Sequence, residues 1–239
     1  MAPVNSHTAK TNIPKPEKPT KWRPSIGLVL FTLNLVVVIL PITGIQLMRI
    51  YESSLIRQTE NALSSQAAFI ASTYRAEVDK MEVGTKQRQL HSLPLPEILW
   101  AKYDRKLTPW NPHIAALDLA NDEVLPRITS EKPGKDVGAT AWQKTIGQHL
   151  VPILKDAQGT TLSAMRVLDP NGLVIASTDD DIGMSYNHLE EVQEAKKGDT
   201  HAVLRRRGRD PFYVPLTSIS RNSSVRVYLA TPIVDNKRI

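Results

Sequence analysis

Residues 162–177 read LSAMRVLDPNGLVIAS. Two short apolar runs, Leu162–Leu168 and Leu173–Ser177, flank Asp169-Pro170-Asn171-Gly172. Proline pre-sets one turn position, and Asn-Gly tolerates positive φ. A turn this tight joins antiparallel strands only, so the stretch predicts a β-hairpin. Working outward towards the C-terminus, Asp179-Asp180-Asp181 makes an acidic loop and His188–Lys197 a short helix that stops at Gly198. His201–Arg205 is a third strand. Arg205, Arg206, Arg207 and Arg209 lead into a turn at Gly208 and Asp210-Pro211. Phe212–Ser218 and Val225–Val234 are further strands; in the second, Val225, Val227 and Leu229 alternate with Arg226 and Tyr228, as in a half-exposed strand. A turn at Asp235–Lys237 precedes Ile239.

Upstream of the hairpin the period changes. Trp142, Ile146, Leu150, Ile153, Leu154 and Ala157 share one face of a helix from Thr140 to Ala157, with Pro152 expected to kink or divide it and Gly159 to stop it. Residues 82–138 are punctuated by Pro94, Pro96, Pro109, Pro112, Pro126 and Pro133, with a short helix over Glu97–Tyr103. Trp100 and Trp110 read as buried packing residues, with ligand stacking as the alternative. From Arg49 to Lys80 there is no Pro or Gly. Leu55, Thr59, Leu63, Gln66, Ala67, Ile70, Tyr74 and Val78 recur at steps of three and four and form one helical stripe. Arg57, Glu60, Asn61, Ser64 and Arg75 fall on the opposite face. The stripe is expected to pack on the domain that follows, with a dimer contact near the membrane as a second use.

Before this helix, Ile26 to Met48 reads IGLVLFTLNLVVVILPITGIQLM, without one charge. About 20 such residues cross a bilayer core as a helix. Lys10, Lys15, Lys18, Lys21 and Arg23 precede it against the single acid Glu17, which places residues 1–25 in the cytoplasm and the rest outside. A cleaved signal peptide would have a shorter apolar core and a small-residue cleavage site. The tail, rich in proline and lysine, cannot bury a core and is expected to be disordered. It holds five of the 30 basic residues and one of the 24 acids, so the remainder is nearly balanced. The basic balance is therefore a topology signal, and no nucleic-acid partner is expected. The absence of cysteine excludes disulfides and thiol chemistry.

RVLDPNGLVIAST, IGMSYNHLEEVQEAKKGD, the arginine-bearing strands and VRVYLATPIVDNKR together resemble a Cache (PAS-like) sensor domain. With the membrane helix and Arg49-Ile-Tyr51-Glu52-Ser-Ser-Leu55-Ile-Arg57-Gln58-Thr59-Glu60-Asn-Ala-Leu63, residues 26–239 resemble the amino-terminal half of a bacterial sensor histidine kinase. The resemblance implies an α+β fold in which a transmembrane helix continues into a long helix (49–81) packed on a mainly antiparallel Cache/PAS-like sheet of about five strands, the sensor domain being 82–239. It implies an inner-membrane, single-pass protein with a periplasmic domain, a homodimer, and an unidentified small-molecule or envelope signal. Autophosphorylation with ATP and Mg, and a response regulator, belong to a kinase core. No His-Glu-x-Lys/Arg-x-Pro acceptor and no Gly-x-Gly loop stands in this sequence. The chain accordingly reads as a fragment, its domain short of a closing strand, with no catalytic residue and no cofactor of its own.

A Cache pocket implies Arg205, Arg206 and Tyr213 as ligand residues, with Ser177. Arginine forks match carboxylates. Side chains alternate along a strand, so adjacent arginines face opposite ways, and an exposed basic strand end is the competing reading. Asp179, Asp180 and Asp181 offer oxygen ligands to a divalent cation, or form a solvated loop. Other function classes stay open: a structural single-pass envelope protein, or the sensor of a chemotaxis receptor or cyclase.

Overall fold

The computed structural model describes residues 24–104, 106–128, 132–133, 139–207, 225–235 and 237–239. Residues 1–23, the expected strand Phe212–Ser218 and Tyr213 lie outside the described residues. The chain divides into two units, 1–47 and 48–239.

Helix α1 runs from Ile26 to Lys80. Its first part, residues 26–47, is uncharged and exposed throughout. By length and composition α1 can cross a membrane. Three of its polar side chains there bond back to the preceding turn. Thr32 Oγ1 donates to Leu28 O at 3.0 Å, Asn34 Nδ2 to Leu30 O at 3.0 Å and Thr43 Oγ1 to Ile39 O at 2.9 Å. Internal satisfaction of this kind is what a water-free medium demands of a polar group.

In the second unit, the expected hairpin forms between β3 (Arg166–Leu168) and β4 (Val174–Ser177). Asp169 organises its turn by accepting from the Asn171 and Leu173 N–H groups at 2.9 and 2.8 Å. Gly172 has φ +80°, and a Cβ there would stand 2.7 Å from Asn187 Cβ, so glycine is required twice over. The first strand is shorter than expected. Leu162 adopts the left-handed conformation that ends the preceding helix, φ 59°, and so cannot begin a strand.

That helix, α4, is Ala141–Thr161. It is not divided at Pro152 and does not stop at Gly159. The carbonyl left without a donor by Pro152 belongs to Gln148, and both residues are exposed, so water can serve it. Ile146, Leu150 and Leu154, from both sides of Pro152, are buried against Met165, Val167, Ile175 and Ala176. Each such side chain contributes roughly 1.5–3 kcal/mol on burial. Gly147 lets α4 reach β4, since a Cβ there would lie 2.0 Å from Ile175 O.

The described strands do not form one antiparallel sheet. Between α1 and α4 lie α2 (Thr85–Leu90), a helical stretch over Glu97–Leu99 and α3 (Trp100–Tyr103), then β1 (Val124–Leu125) and β2 (Lys132–Pro133). β5 is Met184–Ser185, α5 Glu190–Lys196, β6 His201–Arg206 and β7 Val225–Ala230. β1, β6 and β7 make a three-stranded mixed sheet, while β2–β5 and β3–β4 are separate pairs. β1 is parallel to β6, which the long connection between them permits. β6 and β7 are antiparallel, with His201 opposite Ala230 and Arg206 opposite Val225. The unit is thus α+β, with a small mixed sheet.

Candidate functional site

The stripe on α1 divides along its length. Its last part, Ile70, Tyr74 and Val78, joins the core with α4 and the hairpin. Leu55, Leu63 and Ala67 are only half-buried and face a cleft of about 2160 Å³. The other walls are β3, β7 with the residues after it, and α5. Arg166, Asp179 and Tyr186 stand at its border. Burial against the core pushes the Tyr74 hydroxyl up to about 12, Asp169 adding to the rise and Arg88 opposing it.

Arg166 bridges the acidic loop. Its Nη2 donates to Asp179 Oδ2 at 2.7 Å and its Nε to Asp181 Oδ2. Tyr186 Oη donates to the same Asp181 oxygen at 2.8 Å, and the guanidinium lies 5.2 Å above the Tyr186 ring. Asp181 is 2 % exposed. Burial raises its pKa, but the Ser177 hydroxyl, Arg166 and Tyr186 more than offset this and hold the carboxyl below its ordinary 3.8. Asp180 is exposed. Two of the three carboxylates proposed for a cation are therefore engaged by one guanidinium. Among the described residues no group of three or more His, Cys, Asp or Glu side chains converges to hold a metal.

Arg205 and Arg206 do not act together. Arg205 is buried on Glu191, with Nε to Oε1 at 3.1 Å and Nη2 to Oε2 at 2.6 Å, and its Nη1 reaches Pro126 O at 3.3 Å. This fork ties β6 to α5 and to the residues after β1. Arg206 is exposed, as strand alternation requires. Ser177 is wholly buried and accepts from the Asp179 N–H at 3.0 Å. The described residues thus do not bring Arg205, Arg206 and Ser177 to one pocket. Trp110 is 82 % exposed, against the expectation of packing. Trp100 donates to Leu95 O at 3.0 Å and carries the Lys237 ammonium 4.2 Å from its ring centre.

Glu60, on the face of α1 opposite the apolar stripe, is 2 % exposed. The segment around His113–Asp118 crosses that face. His113 Nε2 lies 2.7 Å from Glu60 Oε1, and the N–H groups of Ala116 and Leu117 donate to Oε2 at 3.0 Å each. Ser53 donates to Asp118 at 2.7 Å and Arg57 Nε to Leu117 O at 3.4 Å. Helical period separates two faces of α1 but carries no sign that a proline-rich segment will cover the polar one.

No family model, curated protein or solved structure matches this chain.

Proposed function

We infer that the chain is the extracytoplasmic signal-sensing part of a membrane-bound sensor histidine kinase. The observation that carries the reading is α1 itself: an uncharged 26–48 stretch opens the same helix that, beyond residue 48, is gripped by an α+β domain. A signal that alters the domain has Glu60, Ser53, Arg57 and Tyr74 through which to turn or shift that helix. Orientation follows from the basic tail, with the domain in the periplasm of a bacterial inner-membrane protein that works as a homodimer. The signal is a small molecule or an envelope component. ATP, Mg and a response regulator engage the kinase core joined to the sensor.

The engagement of Arg205 by Glu191 and of Asp179 and Asp181 by Arg166 favours a second reading, a structural single-pass envelope protein. The two separate on a graft. Joined through a second membrane span to a histidine-kinase core, the sensor should set kinase output. Inserting one to four residues between Met48 and Glu52 should then modulate that output with the helical period of about 3.6 residues. Output independent of insertion length would favour the structural reading.

A further inference from the structure

A second, smaller groove of about 340 Å³ lies between α1 and α4. Leu150, Leu154 and Met165 are its buried floor, and Phe69 and Ile153 stand exposed at its rim. Its hydroxyl groups are engaged within their own helices. Ser65 donates to Asn61 O at 2.9 Å, Thr73 to Phe69 O at 3.0 Å and Thr161 to Ala157 O at 2.9 Å. Among the described residues that border the groove, one buried side-chain polar atom is left over. Gln66 Oε1 is shut off from solvent and has no hydrogen-bond partner. Gln66 borders this groove and not the larger cleft.

A buried acceptor without a donor is destabilising, and the groove's own side chains supply none. Water is a poor occupant, because a buried water is held by about three polar partners and finds one here. A helix, about 10 Å across, is too wide for so small a space. The volume instead matches the lower end of small-molecule sites, about 300–1,000 Å³. None of the bordering residues is charged, so an ion would be desolvated there without a counter-charge. The terminal torsion of glutamine is broad, so the carboxamide can swing its oxygen onto a donor seated beside it. We propose that this groove binds a small, uncharged, mainly apolar molecule with one N–H or O–H donor, of the indole or phenol class, that donor resting on Gln66 Oε1. Such a ligand touches α1 and α4 at once, and the site stands whether or not the chain regulates a kinase.

Indole is the probe. Benzofuran, of the same shape with an oxygen in place of the N–H, is the control. Each is titrated into the full chain in detergent micelles, with free ligand measured by equilibrium dialysis, while the Met165 methyl resonance is followed. Indole should shift that resonance saturably and bind roughly tenfold more tightly than benzofuran. In Gln66→Leu the two should bind equally, because the acceptor that tells them apart is gone. Equal affinities in the parent chain, or no saturable shift with indole, would overturn the proposal. A Met165 resonance that moves with protein concentration and ignores indole would overturn it too, by assigning the groove to a second copy.

Discussion

Replacing Glu60 with leucine should be the most damaging single change on the exposed-looking face of α1. Leucine keeps most of the volume but removes the acceptor of three contacts: the ring of His113 at 2.7 Å and the Ala116 and Leu117 N–H groups at 3.0 Å. Leu117 is buried, so loss of Glu60 leaves its N–H unpaired away from water, whereas Ala116 is exposed and its N–H can turn to water. An orphaned buried donor costs about 1–3 kcal/mol, and the Leu117 amide alone accounts for that much. For a domain of this size a kcal/mol moves Tm by about 2–4 °C, which puts the fall at about 6 °C. Glutamine keeps one acceptor oxygen and should lose roughly half as much. The assay is a circular-dichroism melt of the full chain in micelles, paired with amide exchange at Ala116 and Leu117, which should accelerate in the leucine variant. A melt within about 2 °C of the parent, with unchanged exchange at those two amides, would refute the claim that Glu60 holds this segment onto α1.

Arg205→Lys should destabilise by about 3 kcal/mol or more, because lysine cannot reproduce the fork and leaves Glu191 buried with incomplete partners; thermal melts of single and double variants with Glu191→Gln would check it. Gly147→Ala places a methyl 2.0 Å from Ile175 O and should cost about 3 kcal/mol or more by forcing α4 off β4, read as loss of cooperative unfolding in denaturant. The Tyr74 proton is held more tightly in the folded state, its pKa being about 12 against 10. Its contribution is therefore intact below pH 10 and lost as pH rises from 10 towards 12, by up to about 2–3 kcal/mol. Tyr74→Phe should flatten stability against pH in that window, and an unchanged alkaline slope would count against burial as the cause.

Local chemistry was legible. Asp169-Pro170-Asn171-Gly172 specifies the hairpin, the uncharged run specifies a helix fit for a membrane, and the period of three and four gives α1 and α4. Contacts distant in sequence were not. Nothing in Arg166 says that it will bridge Asp179 and Asp181, and an acidic triplet looks like a cation loop until that guanidinium is seen. Arg205 sits in a basic run that suggests an anion site, yet Glu191, at the start of a short helix, meets it in the interior. The end of α4 escaped because Gly159 tolerates helix while Leu162 accepts positive φ under tertiary packing. β1 pairs in parallel with β6 through two residues only, too few to show a pattern.

The membrane orientation of the domain is tested most directly by thiol labelling, which the absence of cysteine makes clean. Ile114, 80 % exposed, and Asn5 in the basic tail would each be replaced by cysteine in the otherwise cysteine-free full chain. A membrane-impermeant maleimide is then applied to intact spheroplasts. The account predicts that Ile114→Cys is labelled at once and Asn5→Cys only after permeabilisation. Labelling of Asn5→Cys from outside, with Ile114→Cys protected, would contradict it.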